Sequence, residues 1–348
     1  MTHSPRVESP SPITHRQAGV GIEAKANLLA GLAPAIAATH TAAVVAGVGA
    51  FAGAMRLSPT DAGLLMATTD GVGTKTLVAR SLGRDDVIGA DIVAHCANDL
   101  VAAGARPVAF LDYIAMGRLD PPVVRALVES MARACRSLGV AMLGGETAEM
   151  PGVYVDEAYD VVGTMIGLAP GQGLLTGETA RPGHRILGLA STGLHTNGYT
   201  LARRVVEQAG VALSEHVPDL GTTAGDALLQ PHRCYAAEVL ALFARLRVHA
   251  VAHITGGGLA DNIVRVLPEG CRARLTRTWP QPPVFAWLQR LGQVPTADME
   301  RTFNLGIGMA IVVAASDAAP ALRHFEEQGV PAFEIGEIAR GARGVDLT

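Results

Sequence analysis

The sequence predicts a mixed α/β protein of two domains. Three observations support this prediction. The chain has 348 residues, which is long for one hydrophobic core. Strand-like and helix-like runs alternate in both halves. Glycines at Gly171 and Gly173 separate the halves, as in a linker. We therefore predict an N-terminal domain over residues 1–173 and a C-terminal domain over residues 174–348.

The N-terminal half contains short apolar runs, bounded by Gly, Pro or Asp, that are typical of strands. They cover residues 42–46, 64–69, 107–112 and 160–168. Helical spacing predicts helices over residues 91–103 and 121–138, the second with prolines in its first turn and Gly139 after its end. Residues 1–14 carry three prolines and no apolar core of signal-peptide length, so we expect a disordered lead-in there.

The C-terminal half repeats this pattern. Strands are predicted over residues 185–190, 250–254, 306–313 and 332–338, and helices over 199–208 and 235–246. Two loops rich in glycine and hydroxyl residues, 191–199 and 253–258, each connect a strand to a helix.

Composition excludes several classes of protein. The formal charge of −4, without a dense Lys/Arg run, gives no electrostatic support for nucleic-acid binding. The four cysteines form no C-x-x-C pair, which argues against a disulfide framework or zinc knuckle and favours the cytoplasm. Residues 28–55 are uncharged, but Pro34 and a polar break at 39–41 argue against a membrane span. With 40 glycines and 17% charged residues, the surface favours an oligomer.

The first chemical motif is Asp70-Gly71-Val72-Gly73-Thr74-Lys75, which follows a predicted strand. Its glycines let backbone N–H groups approach phosphate oxygens, and Lys75 adds a positive charge. It is not a Walker A loop, because Thr74 separates Gly73 from Lys75. Asp70, at the strand end, suits Mg²⁺, which prefers one or two carboxylates together with phosphate oxygens. A surface β-turn is the alternative.

Two further motifs suit a metal ion. Asn98 and Asp99 lie in a helical segment among apolar neighbours, and a solvated helix face is the alternative. Residues 144–149 follow an apolar strand, and we predict a glycine-softened turn that presents Glu146 as a metal ligand or base. A capping box led by Thr147 is the alternative.

The two loops of the C-terminal half predict anion binding, since helix N-termini offer oriented N–H groups. His195 and His253 in these loops can act as general acid or base, because an unperturbed imidazole titrates near neutrality. A satisfied structural histidine is the alternative at each position.

One motif is discounted. Residues 47–52 match the relaxed dinucleotide pattern G-x-G-x-x-A, but the required helix does not follow, because Pro59 and Gly63 interrupt the next segment. A nicotinamide-dependent enzyme is therefore not expected.

Taken in order, these motifs make the sequence resemble the phosphoribosylformylglycinamidine cyclo-ligase family of purine biosynthesis over nearly its whole length. The resemblance rests on residues 18–20, 70–75, 89–94, 98–100, 110–113, 144–152, 191–199, 253–258 and 301–304. It implies an α/β two-domain fold, a homodimer whose N-terminal strands close a β-barrel, and an ATP site that draws on both subunits.

The resemblance also implies a reaction. Formylglycinamidine ribonucleotide and ATP would give aminoimidazole ribonucleotide, ADP and phosphate. ATP would phosphorylate the amide oxygen, a poor leaving group, and the amidine nitrogen would then close the ring and expel phosphate. Positioning and charge neutralisation dominate such phosphoryl transfers.

The implied roles are as follows. Magnesium ligands are Asp70, Asn98, Asp99 and Glu146. Contacts to ATP are Gly49, Gly71, Val72, Gly73, Thr74 and Lys75. Contacts to the small-molecule ribonucleotide substrate are Ser191, Asn197, Gly198, His253, Thr255, Gly256 and Gly257. His195 is assigned to proton transfer or to stabilising the transferring phosphoryl group, with Lys75 and Asp99 as the other catalytic residues.

The sequence departs from the family pattern at two places. Gly21 stands where the family usually has Asp, and residues 47–53 contain fewer glycines than the family loop. A diverged paralogue acting on a related substrate and a non-catalytic dimeric binding partner are therefore the alternatives. Selenophosphate synthetase is disfavoured because no cysteine precedes Cys96, and thiamine-monophosphate kinase because its acidic pair is missing.

Overall fold

The computed structural model describes residues 14, 38, 40–46, 50–56, 63–171 and 173–348. Gly21 and Gly49 lie outside these residues, as does nearly all of the predicted lead-in, so the expectations for them stay predictions. Two six-stranded sheets organise the described residues, one in each half of the chain. The predicted mixed α/β architecture is confirmed, while the boundary at residue 173 stays a prediction.

The N-terminal sheet has the strand order β1-β2-β3-β6-β4-β5, and only its β4–β5 pair is parallel. Its strands are β1 (Val44–Ala46), β2 (Gly53–Arg56), β3 (Gly63–Gly71), β4 (Arg106–Met116), β5 (Ala141–Glu149) and β6 (Tyr159–Pro170). The helices of this half are α1 (Lys75–Leu82), α2 (Asp86–Ala102) and α3 (Pro121–Ser137).

The C-terminal sheet has the order β10-β12-β7-β13-β11-β14, and a small hairpin pairs β8 with β9. Its strands are β7 (Arg185–Ala190), β8 (His216–Val217), β9 (Thr222–Thr223), β10 (Val248–His253), β11 (Cys271–Leu275), β12 (Ile307–Val313), β13 (Ala332–Arg340) and β14 (Gly344–Leu347). The helices are α4 (Tyr199–Gln208), α5 (Ala224–Leu228), α6 (Ala236–Phe243), α7 (Gly258–Ile263), α8 (Pro283–Gly292), α9 (Thr296–Thr302) and α10 (Ala318–Glu327).

Helix α2 is the central element of the molecule. All of its residues except Asp86 and Ala90 are buried, because it packs on the N-terminal sheet, on α3, and on β10 and α6 of the other half. Its close approach to α3 requires Gly89, where an added Cβ would lie 2.3 Å from the carbonyl oxygen of Leu127. The helix therefore joins the two halves from within.

The predicted strands and helices are present as strands and helices. Two predictions differ from the structure in their bounds or in the type of element. Helix α2 begins five residues before the predicted start at residue 91. The predicted turn at 144–149 is wrong, since these residues are part of β5. They extend the strand because β5 pairs in parallel with β4, and a bulge at Leu143 accommodates the glycines.

The N-terminal sheet is covered on one face only. One face packs against α2 and α3 through buried residues such as Met66, Phe110 and Met165. The opposite face, which we call the open face, carries half-buried and exposed apolar side chains, among them Leu65, Ile166 and Leu168. None of the described helices is long and apolar enough to cross a membrane.

Candidate active site

The site begins where β3 ends against α2. Asp70 lies on the covered face of the sheet, and its Oδ2 is 2.7 Å from Nε2 of His95 on α2. Burial disfavours the charged form of His95, but the carboxylates of Asp70 and Asp99 outweigh it and raise the His95 pKa to about 9. Burial likewise opposes ionisation of Asp70, yet His95 lowers the Asp70 pKa to about 2. Asp70 is therefore a carboxylate at neutral pH, with 44% of its side chain exposed.

Asp99 connects the two halves of the chain. Its Oδ1 lies 2.8 Å from Nδ1 of His253, at the end of β10, and its Oδ2 lies 4.0 Å from Nε2 of His95. Thr68 donates a 3.4 Å hydrogen bond to the same Oδ2. Asp70 and Asp99 thus lie on either side of the His95 imidazole. The sequence motifs assigned these two residues to one site.

Asn98 is fully buried and its amide is already bonded within the protein. Its Nδ2 donates to the carbonyl of Arg233 at 2.8 Å, and its Oδ1 accepts the backbone N–H of Tyr235 at 2.8 Å. Nδ2 also lies 3.2 Å from Nε2 of His232. These bonds hold the segment before α6, and metal ligation by Asn98 stays a prediction.

Lys75 is also fully buried. Its Nζ lies 2.5 Å from Oδ2 of Asp91 and donates to the carbonyl of Gln230 at 2.8 Å. Burial lowers the pKa of Lys75 and raises that of Asp91, so each group depends on the other for its charge. The charge expected to meet ATP phosphates is instead neutralised in the interior.

The rest of the predicted phosphate loop connects β3 to α1. Val72 is buried, whereas Gly73 is exposed with a φ of 68°. Oγ1 of Thr74 lies 3.0 Å from Oγ1 of Thr200 in α4, so the first turns of α1 and α4 lie side by side. The N-termini of two helices consequently lie at one place.

His195 is buried within the loop of residues 191–199. Only 1% of it is exposed, its φ is 60°, and its Nε2 accepts the backbone N–H of Thr192 at 3.3 Å. Its ring stacks on that of His232 with centroids 4.2 Å apart. Burial, followed by the neighbouring charges, drives its pKa well below the ordinary value.

The two predicted anion-binding loops face each other. An added Cβ at Gly256 would lie 3.4 Å from Oδ1 of Asn197, and the buried Nδ2 of Asn197 has no hydrogen-bond partner. Gly198 and Gly257 have φ values of 82° and 97°, a region that favours glycine. Ser191 donates to Oδ1 of Asn304 at 2.9 Å. Thr255 donates to Oδ1 of Asn262 at 3.4 Å. Asn197 is the donor that stays available for a ligand.

Glu146 is not brought to Asp70 within one chain. In the sheet register, Glu146 lies in one cross-strand row with Tyr113, Val162 and Gly71. Asp70 lies in the adjacent row, with Gly163, Asp112 and Gly145. Adjacent rows point to opposite faces, so Glu146 lies on the open face. Three strand spacings, about 14 Å along the sheet, also separate β3 from β5.

The sequence motifs missed three residues of this site. Asp91 and His95 lie on α2 with Asn98 and Asp99, at spacings that place all four on one face of a helix. That spacing was available in the sequence. His232 was not detectable, because it lies in a loop without a motif and reaches the site only through tertiary packing.

The two-sheet α/β fold belongs to the class of AIR synthase related proteins, as matches to two family models show. Family models described as the N-terminal and C-terminal domains of AIR synthase related protein match residues 34–169 and 181–346.

The likeness extends to individual enzymes. The phosphoribosylformylglycinamidine cyclo-ligase of Geobacillus thermodenitrificans is 42% identical over 338 residues, covering 96% of this chain and 97% of the relative. That of Sorangium cellulosum is 44% identical over 331 residues, covering 94% and 95%. The chain belongs to the phosphoribosylformylglycinamidine cyclo-ligase family, and the resemblance seen in the sequence is confirmed.

Solved structures show the same fold at low identity. Thiamine-monophosphate kinase from Stenotrophomonas maltophilia superposes with a TM-score of 0.63 at 20% identity, covering 91% of this chain and 95% of that one. The structure of AaThiL complexed with AMPPCP and TMP gives a TM-score of 0.64 at 15% identity, with 96% of each chain covered.

Proposed function

We propose that this chain converts formylglycinamidine ribonucleotide and ATP to aminoimidazole ribonucleotide, ADP and phosphate. The observation that carries the proposal is the identity of more than 40% to named cyclo-ligases over nearly their whole length. The four free cysteines, Cys96, Cys135, Cys234 and Cys271, support a reducing cytoplasm as its location.

Mg²⁺ fits the pair Asp70 and Asp99. Both carboxylates lie at the junction of the two halves, and the Asp70 oxygens remain accessible. Oxygen ligands of this kind suit Mg²⁺, which when bound neutralises charge on the transferring phosphoryl group. Asn98 is left out of this proposal because its amide is bonded to the segment before α6.

ATP phosphates are proposed to meet the backbone of Gly71, Gly73 and Thr74. The exposed Gly73 and the paired first turns of α1 and α4 offer N–H groups there. Lys75 supports this loop from below, through Asp91 and Gln230, and so acts as a positioning residue. His195 has a similar role in our proposal, because its buried ring supports His232 and the loop that leads to Asn197.

The ribonucleotide substrate is proposed to bind between the two facing loops. Asn197 offers an unpartnered amide donor beside Gly256, and glycines at 198, 256 and 257 let backbone approach closely. Holding the substrate amide oxygen in line with the γ-phosphate is the main task of such a site, since ATP supplies the leaving group.

A homodimer is proposed through the open face of the N-terminal sheet. Its exposed apolar residues include Val45, Met55, Leu143 and Leu168, an arrangement typical of an interface. Two such sheets packed face to face would form the barrel that the family resemblance implies. Glu146 lies on this face, so its carboxylate would serve a site shared with the second copy.

The experiment is a product assay on the purified full chain. Formylglycinamidine ribonucleotide with Mg-ATP should give ADP and aminoimidazole ribonucleotide in equal amounts, both identified by mass. Thiamine monophosphate, after which the kinase from Stenotrophomonas maltophilia is named, is the matched control and should give neither. ATP turnover that does not depend on the formylglycinamidine substrate would refute the proposal.

A further inference from the structure

We propose that His95, Asp99 and His253 form a binding site for a divalent transition metal ion, with Zn²⁺ as the preferred ion. The site shares Asp99 with the magnesium pair and Asp70 lies beside it, so the two ions would compete there, but binding in the absence of nucleotide does not depend on the cyclo-ligase reaction. His95 and Asp99 lie on α2 and His253 lies at the end of β10, so the ion would tie α2 to the C-terminal half.

The three ligand atoms already lie nearly as close to one another as they would around a bound metal ion. One ligand atom from each of the three residues lies within 4.8 Å of the other two. Ligand atoms on a tetrahedral Zn²⁺ lie about 3.3 Å apart, given metal–ligand bonds of about 2.0–2.1 Å. Oδ1 of Asp99 and Nδ1 of His253, now 2.8 Å apart, would need to separate by about half an ångström.

The hydrogen-bond network calls for a cation between Asp99 and His253. Because Asn98 accepts the Tyr235 N–H through Oδ1, its Nδ2 is fixed as a donor. Nε2 of His232, 3.2 Å from that donor, must therefore be an acceptor.

The next contact extends this reasoning. Nε2 of His253 lies 3.2 Å from the same acceptor nitrogen of His232, so it must carry a proton and donate it. Neutral His253 then has a bare Nδ1, which faces a carboxylate oxygen of Asp99 at 2.8 Å. Two lone pairs at this distance repel unless a cation lies between them.

A proton on Nδ1 of His253 meets this requirement in the metal-free protein, and a metal ion would replace it. Nε2 of His95, which is ion-paired with Asp70 at 2.7 Å, lies in the same cluster, 4.0 Å from Oδ2 of Asp99. One ion would displace the protons from both imidazoles and accept electron pairs from them and from Asp99.

Both imidazoles are oriented as metal ligands usually are. Nδ1 of His95 is hydrogen-bonded to Oγ1 of Thr196 at 2.7 Å, which leaves Nε2 for the ion. His253 is held through its other nitrogen by His232. Asp70, with 44% of its side chain exposed, provides the route from solvent and the fourth ligand position.

The ligand set selects the ion. Two imidazoles and one carboxylate favour Zn²⁺ and Co²⁺, whereas Mg²⁺ prefers oxygen ligands throughout. Among the described residues this is the one group of three or more His, Cys, Asp or Glu with metal-ligand spacing.

The test uses Co²⁺ as a visible probe on the metal-free full chain, without nucleotide or ribonucleotide. One equivalent should bind with d–d absorption of a four-coordinate ion, and Zn²⁺ should displace it. H95Q should weaken Co²⁺ binding at least about tenfold, the scale for disturbing a metal site. H216Q, at an exposed histidine of β8, is the matched control and should bind as the wild type does.

A second variant separates ligation from folding. H95C should bind Co²⁺ and add a thiolate-to-cobalt absorption band that a merely structural residue could not create.

In the wild type, Co²⁺ should shift the ring N–H resonances of two histidines far outside the normal range. H184Q tests the stacked His184–His249 pair, whose rings lie 4.1 Å apart. Absence of saturable Co²⁺ binding, or its loss in H184Q but not in H95Q, would overturn the proposal. Because Co²⁺ binding is measured without nucleotide or ribonucleotide, a failure of the cyclo-ligase assay would leave this result unchanged.

Discussion

The ammonium of Lys75 lies 2.5 Å from the carboxylate of Asp91, and neither side chain has any exposed surface. The pair lies at the first turn of α1 and on α2, directly under the proposed phosphate loop. The bond from Lys75 to the carbonyl of Gln230 extends the pair into the C-terminal half. This buried ion pair therefore supports both the loop and one of the contacts between the halves.

Replacing Lys75 with Met should lower the free energy of unfolding by about 3–5 kcal/mol, because Asp91 would remain buried without a partner. The double variant K75M/D91L should recover much of that loss. Urea unfolding followed by circular dichroism measures both. The exposed pair Arg125–Glu129 is the control, and R125A should cost at most about 1 kcal/mol. A loss in K75M no larger than in R125A would contradict the argument.

Asp70→Asn should reduce kcat for aminoimidazole ribonucleotide formation by at least about 10²-fold, the usual scale for removing one electrostatic stabiliser. The fold should persist, because 44% of this side chain is exposed. Steady-state rates at saturating Mg-ATP provide the measurement. Asp156→Asn, in an exposed segment, should keep normal turnover. Normal turnover in D70N would reject Asp70 as a metal ligand.

Asn197 and Asn98 offer a contrast between function and stability. Asn197→Ala should raise KM for the ribonucleotide about tenfold while leaving thermal stability nearly unchanged, because its buried Nδ2 has no partner to lose. Asn98→Ala should instead lower Tm, since it leaves the Tyr235 N–H and the Arg233 carbonyl unpaired. Substrate kinetics and calorimetry on both variants distinguish the two roles. Equal loss of stability in both would oppose the assignment.

Stability of the metal-free protein should depend on pH through His95. Because folding raises the His95 pKa from 6.5 to about 9, this contribution is complete below pH 6.5 and is lost as pH rises through 9. The loss should reach about 1–3 kcal/mol, reduced by solvent at the half-exposed Asp70. Unfolding in EDTA between pH 6 and 9.5 measures it for wild type and H95Q. A curve that H95Q leaves unchanged would exclude His95 as the cause.

Leu143→Glu should convert the proposed dimer to a monomer, because it places a charge on the open face where 66% of this residue is exposed. Sedimentation velocity gives the mass directly. Val153→Glu, with a residue equally exposed but outside the sheet strands, is the matched control and should leave the dimer intact. A monomeric wild type, or a dimeric L143E, would refute this interface.

The sequence predicted local structure well because local structure follows local patterns. Helix α4 begins and ends at the predicted residues, and β7 does so as well. Asp70 and Asp99 were expected to act together, and both flank His95.

Long-range arrangement was predicted less well, for a physical reason in each case. The register of β5 places Glu146 on the opposite face from Asp70, and register depends on strand pairing far along the chain. Burial of Lys75 depends on Asp91 and on Gln230, two groups without a local motif. The same holds for Asn98, whose partners lie more than a hundred residues away.

Helix α2 belongs to the N-terminal half by sequence, yet four of its polar residues bond to the other half. Asp91 accepts the His232 N–H, His95 pairs with Thr196, Asn98 holds residues 233–235, and Asp99 meets His253. A C-terminal half produced alone would therefore expose a socket of unpaired polar groups where α2 normally lies. The sequence predicts a boundary near residue 173, but with these bonds across it we expect the whole molecule to unfold as one cooperative unit.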